Sequence, residues 1–183
     1  MVGPSARRAS DSGLPRAPHG GWVAAVDVGY LDDDTAVGAV VVGRDATLST
    51  IEGERVVRLE VVAPYRPGAF YERELPALGA VLAGIPVSLL FVDGYVDLDP
   101  DGRPGLGAHA AIAFGCPVIG VAKTAFRTAT HAIPVLRGTS IRPLFVTASG
   151  IPVSDAAEMV ASMAGGNRLP DALKKVDRLT RSI

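Results

Sequence analysis

Two aspartates, each closing a run of apolar residues, are the groups in this chain best suited to chemistry. Asp27 lies in Trp22-Val23-Ala24-Ala25-Val26-Asp27-Val28-Gly29-Tyr30, and Asp93 lies in Ser88-Leu89-Leu90-Phe91-Val92-Asp93-Gly94. Neither run alternates cleanly between apolar and polar residues, so both read as strands covered on two faces within an α/β sheet. A carboxylate in such a strand is costly unless it is hydrogen-bonded, paired or metal-bound. Asp93-Gly94 is also a common turn dipeptide, whereas Asp27 sits inside its apolar run with no such alternative. Two carboxylates at equivalent strand positions point to one shared site.

The elements that must position them follow from pattern. Three β-rich segments, Trp22 to Tyr30, Thr35 to Val42 and Leu48 to Val62, are joined by Asp32-Asp33-Asp34 and Gly43-Arg44-Asp45, which suit the turns of an antiparallel meander. A helix is predicted from Phe70 to Leu82 with Ala77, Leu78, Val81 and Leu82 on its apolar face; Pro76 is tolerated in a first turn and would kink an interior. The strand Ser88 to Val92 then leads through a Gly/Pro/Asp-rich loop to a short helix, Gly107 to Phe114. Buried strands are predicted at Pro117 to Val121 and Leu144 to Thr147. Helices follow from an N-cap at Ser154 to Met163, and from Pro170 to Leu179.

This order describes an α/β fold of ribonuclease H-like layout, a mixed central sheet of a three-strand meander plus parallel strands, flanked by helices. In that layout the first and fourth strands are neighbours, so Asp27 and Asp93 lie side by side. Hard oxygen ligands on adjacent strands are what a divalent metal needs.

At 183 residues one domain is expected over 21–183, behind a disordered tail from Met1 to Gly20 that lacks the apolar segment of a secretory signal. No stretch is long and apolar enough to span a membrane. The single cysteine, Cys116, excludes an internal disulfide and fits a reducing compartment, so the expected location is the cytoplasm. Nothing calls for an obligate protein partner, and a monomer is expected. The net charge of −1 hides an asymmetry: from Arg103 onward there are ten Lys/Arg against four Asp/Glu. A basic C-terminal portion suits a phosphate backbone while the acidic portion suits cations; a solvated surface of mixed charge accounts for the numbers equally well.

Several stretches, in order, resemble the endonuclease V family, which cleaves nucleic acid near inosine, the product of adenine deamination. They are Val26-Asp27-Val28-Gly29-Tyr30; Pro64-Tyr65-Arg66-Pro67-Gly68 with Arg73-Glu74 and Pro76-Ala77-Leu78; Val92-Asp93-Gly94; Gly105-Leu106-Gly107-Ala108-His109; Ile119-Gly120-Val121-Ala122-Lys123; and Arg168-Leu169-Pro170 with Asp177. The resemblance implies that Asp27 and Asp93 bind magnesium, for which manganese substitutes, and that Glu74 completes the site through metal-bound water. It implies that Asp177 lies near the metal and that Lys123 stabilises charge on the scissile phosphate. Tyr65, with Pro67, would form a wedge filling the gap left by the altered base. Gly68, Phe70, Gly94, Gly105 and Leu106 would line the base pocket, with His109 and Arg168 as further nucleic-acid contacts. The implied substrate is DNA containing deoxyinosine, with inosine-containing RNA a second.

Outside the resemblance, each residue has a plainer role. Glu74 suits the positive end of a helix, Lys123 a solvated strand end, Asp177 a helix-surface ion pair, and His109 a packed or capping position. The chain also departs from the family where a Gly-His-Gly and a His-Pro are usual, reading Gly94-Tyr95-Val96 and Asp99-Pro100. Two alternatives to an inosine-specific nuclease stay open: a binding module of the same fold without turnover, and a ribonuclease H-like nuclease of other structure specificity.

Overall fold

Valine-rich runs build the first half of the sheet. A computed structural model describes residues 14, 18–31, 35–60 and 70–182. β1 (Trp22–Tyr30), β2 (Ala36–Gly43) and β3 (Gly53–Leu59) form the expected antiparallel meander. The chain continues through α1 (Tyr71–Leu82), β4 (Val87–Asp93), α2 (Leu106–Phe114), β5 (Val118–Ala122), β6 (Ile133–Val135), β7 (Leu144–Ser149), α3 (Val153–Ser162) and α4 (Asp171–Leu179). The described strands make one sheet in the order β3-β2-β1-β4-β5-β7-β6. β4 is parallel to both β1 and β5, and the other pairings are antiparallel. This is the mixed, helix-flanked sheet of the ribonuclease H-like layout.

Strand alternation sorts the core into two layers. Trp22, Ala24, Val26, Leu90 and Val92 pack with Leu78 and Val81 of α1 and Ala110 of α2. Val23, Ala25, Leu89, Phe91, Ile119 and Val121 pack with Val160 of α3 and Leu173 and Val176 of α4. Among the described residues no helix is long and apolar enough to cross a membrane.

Several boundaries differ from expectation for identifiable reasons. The third strand begins at Gly53, not Leu48: the Asp45 carboxylate accepts the Thr47 amide (2.9 Å), and Leu48 takes φ 45° to bury its side chain. That left-handed backbone costs about 1–2 kcal/mol, offset by burial of the leucine. Ser154 is not an N-cap. Pro152 precedes the helix with φ −59° and no N–H to satisfy, and the Ser154 hydroxyl, one residue inside, turns to Asp155. Pro76 lies in the second turn of α1, yet the helix runs unbroken to Leu82. β6, three residues with a proline at the centre, carries no strand pattern in the sequence. Asp32-Asp33-Asp34, Val61 and Val62, and tail residues 1–13 and 15–17 lie outside the described residues, whereas Leu14 packs on the α1/α2 layer.

The α3–α4 connection is organised around one buried cation. Arg137, only 6% exposed, donates to the carbonyls of Ala161 (3.5 Å), Met163, Gly165 (2.9 Å), Asn167 (3.0 Å) and Arg168 (3.3 Å). Carbonyls at a helix end otherwise lack donors, so a planar fork with five N–H groups suits them. Arg137→Met is expected to lower the unfolding free energy by roughly 2–4 kcal/mol in urea titration. A change smaller than about 0.5 kcal/mol, ordinary for a surface substitution, would show that water replaces the guanidinium without loss.

Candidate active site

The parallel pairing of β1 and β4 ends at Val26 opposite Val92, and Asp27 and Asp93 come next on each strand. Alternation puts both on the α4 side, in line with Ala25 and Phe91. Asp93 pairs with Val121 of β5, and two residues further the Lys123 ammonium donates to Asp93 Oδ2 at 2.5 Å. α4 supplies Asp177, directly after the core residue Val176. Its approach to β1 depends on Gly29, where a Cβ would stand 2.8 Å from Thr180 Cβ and Oγ1. Glu74, the fourth residue of α1, enters from the other helix layer. Asp27, Glu74, Asp93 and Asp177 line one cavity of about 600 Å³ with Tyr30, Phe70 and Arg181.

The charges in this cleft are poorly compensated. Burial and then the neighbouring Asp93 push the Asp27 carboxyl up to about 6, against the pull of the Val28 amide (2.9 Å) and Lys123. Burial, then Asp27 and Asp93, push Glu74 up to about 8. Burial works against the charged form of Lys123, but its hydrogen bond to Asp93 and the surrounding carboxylates hold the amine above its ordinary value. Arg181 Nη2 donates to Asp177 Oδ1 at 2.7 Å. Burial, followed by the Glu74 charge, keeps the Tyr30 phenol neutral, pushed up to about 12.

This donor set fits a hard divalent cation: several carboxylates converge, and their repulsion is what a bound cation relieves. Among the described residues no three acidic, histidine or cysteine side chains are already arranged to enclose an ion.

The remaining expected residues are placed unevenly. Tyr65, Pro67 and Gly68 lie outside the described residues. Phe70 is exposed at the cavity mouth, its ring centroid 6.1 Å from Tyr30. Gly94 turns the chain off β4 at φ 125°, a backbone that side-chain-bearing residues rarely adopt. The carbonyls of Tyr95 and Val96 fill the space beside the Gly105 Cα, and Leu106 lines a narrow recess with Asp27, Glu74 and Asp93. His109 stacks on Tyr71, ring centroids 3.6 Å apart. Arg168 donates to the carbonyls of Lys123 and Pro143 (2.8 Å), so its guanidinium braces the Lys123 backbone. The sequence reading missed Tyr30 and Arg181 as cavity residues. Arg181 was findable, being four residues past Asp177 on a basic helix end; Tyr30 closes the Asp27 stretch of the resemblance, which gave it no role of its own.

The sequence profile of the endonuclease V family matches residues 11–178, which include every carboxylate of the cleft. The chain belongs to the endonuclease V family. It is 33% identical over 185 residues to endonuclease V of Azotobacter vinelandii, covering 88% of this chain and 83% of that one. The crystal structure of endonuclease V from Streptomyces avermitilis superposes with a TM-score of 0.73 at 29% identity, over 91% of this chain and 82% of that one. Ciona intestinalis endonuclease V, solved with a 24mer DNA containing an inosine followed by a ribo-adenosine, shares the fold at a TM-score of 0.70 and 20% identity. That match covers 88% of this chain and 84% of the other. Family membership makes the chain a nuclease, a hydrolase of phosphodiester bonds.

Asp27 and Glu74 bind protons more tightly folded than unfolded, so their contribution to stability falls as pH rises. The fall runs from 3.8 to about 6 for Asp27 and from 4.5 to about 8 for Glu74. The melting temperature of metal-free protein is therefore expected to drop between about pH 5 and pH 8, and to drop less in Glu74→Gln. An identical slope in the variant would remove Glu74 from the repelling group.

Proposed function

We propose that the chain is a magnesium-dependent endonuclease that recognises inosine in DNA, and in RNA, and hydrolyses the second phosphodiester bond on its 3′ side. The observation that carries this reading is the convergence of Asp27, Glu74, Asp93 and Asp177 in one cleft beside Lys123. The inosine-containing DNA held by the Ciona intestinalis relative supports the lesion class.

Asp27 and Asp93 would hold the cation, with Glu74 behind them; manganese would serve in place of magnesium. The bound cation would supply Lewis acidity at the phosphate and lower the pKa of attacking water. Lys123 spends one of its N–H groups on Asp93 and, being 40% exposed, turns others toward the phosphate oxygens that gain charge. Water attacks phosphorus in line, giving its proton to a cleft carboxylate. The bond from phosphorus to the 3′ oxygen breaks, and that oxygen takes up a proton. The products are a 3′-hydroxyl and a 5′-phosphate.

The wedge (Tyr65, Pro67) and the pocket (Gly68, Phe70, Gly94, Gly105, Leu106) would hold the altered base out of the stack. Base–aromatic stacking is worth about 1–3 kcal/mol, enough for Tyr65 to affect discrimination.

An end-labelled oligonucleotide with one inosine tests the reading, beside its adenine control and the Asp27→Asn enzyme. A single magnesium-dependent cut one nucleotide beyond the inosine is expected, with a loss of at least about 100-fold in Asp27→Asn. Tight inosine-dependent binding without a cut would replace the nuclease reading with a binding module. Cutting of undamaged branched substrates with no inosine preference would favour a structure-specific nuclease.

A further inference from the structure

Tyr95 stands where the family more often has histidine, and it lies outside the lining of the carboxylate cleft. It leaves the end of β4 two residues after Asp93, with its ring half-buried against Phe126 at 6.0 Å. Its hydroxyl donates to the Thr124 carbonyl (2.7 Å) and accepts the Phe126 amide (3.0 Å). Both partners lie within three residues after Lys123, on an exposed loop with no strand pairing of its own. The Tyr95 main chain is tied the other way, its carbonyl accepting the Gly107 amide at the start of α2 (3.0 Å). The next residue, Val96, donates its amide to the buried Thr147 Oγ1 at 2.8 Å.

We infer that Tyr95 is a positioning residue for Lys123: its hydroxyl clamps the loop that follows the lysine to the loop that follows Asp93. The inference rests on the assignment of Lys123 to the phosphate. The geometry favours it because the lysine has a long, flexible stem and, among the described residues, one ion-pair partner, Asp93, which is itself claimed by the site. Arg168 holds the Lys123 carbonyl from one side, and Tyr95 holds Thr124 and Phe126 from the other. Further along, the Thr128 hydroxyl donates to the Leu98 carbonyl (2.5 Å), so the Tyr95 hydroxyl is what ties down the stretch directly after the lysine, Thr124 to Phe126. A phenol reaches this loop because it is long, rigid, and both donates and accepts. A lysine fixed in advance contributes to the transition state without reorganising, so loss of the brace falls on kcat.

The test is Tyr95→Phe, alone and combined with Lys123→Ala, assayed on the inosine oligonucleotide. Tyr95→Phe keeps the ring and its packing, and is expected to lower kcat about tenfold with KM within about twofold. In the Lys123→Ala background the same change is expected to cost less than about twofold, because the group it positions is gone. Independently of activity, the Phe126 amide is expected to exchange with deuterium faster in Tyr95→Phe than in the parent. Parental kcat in Tyr95→Phe, beside an impaired Lys123→Ala, would overturn the positioning role alone. So would a tenfold loss that persists without the lysine, or an unchanged Phe126 exchange rate. Full kcat in Lys123→Ala would overturn the assignment of the lysine itself, and the inference with it.

Discussion

Everything at the site depends on where β1 and β4 stop being partners. Their parallel ladder ends at Val26 and Val92, and the next residue of each strand is an aspartate on the same face of the sheet. A one-residue slip would turn one carboxylate into the α1/α2 core and leave the other alone. The slip is resisted by the bulk on both faces, with Trp22, Leu90 and Val92 fully buried on one and Ala25 and Phe91 on the other. Register is thus set by ordinary packing, and the site inherits its geometry from it.

That geometry carries an electrostatic cost, visible in the raised carboxyls of Asp27 and Glu74. Native packing elsewhere offsets it, as functional sites commonly require. Around the carboxylates, cations are used for placement more than for neutralisation. Arg137 gathers the α3–α4 connection by its carbonyls, that connection presents Arg168, and Arg168 braces the backbone of Lys123. Only Lys123 and Arg181 make ion pairs with the cleft acids among the described residues. The cleft keeps an excess of negative charge, which suits a divalent cation and the phosphate that cation brings.

Much of this was legible in sequence because burial leaves a pattern. The unbroken apolar runs around Asp27 and Asp93 identified two central strands, and the placement of the two acids side by side followed from the strand order. Glu74, Lys123 and Asp177 were different. Each sits at a helix or strand end where a charged residue is unremarkable, and only the ordered resemblance to a family marked them out. What the sequence could not show was how side chains are spent. Arg168 read as a nucleic-acid contact, and nothing in its position in the sequence showed that its guanidinium also bonds the carbonyls of Lys123 and Pro143. Arg137 read as nothing, since a loop arginine has no periodicity to reveal burial. Ser154 read as a cap because serine often is one, but Pro152 holds the cap position, two residues earlier.

The most direct measurement of the central claim, that this repelling group of carboxylates is a cation site, is anomalous diffraction from crystals of the protein grown with manganese. A strong anomalous peak beside Asp27 and Asp93 is expected, lost in crystals of Asp27→Asn. A cleft without a peak at saturating manganese, or a peak held elsewhere and indifferent to Asp27, would contradict it.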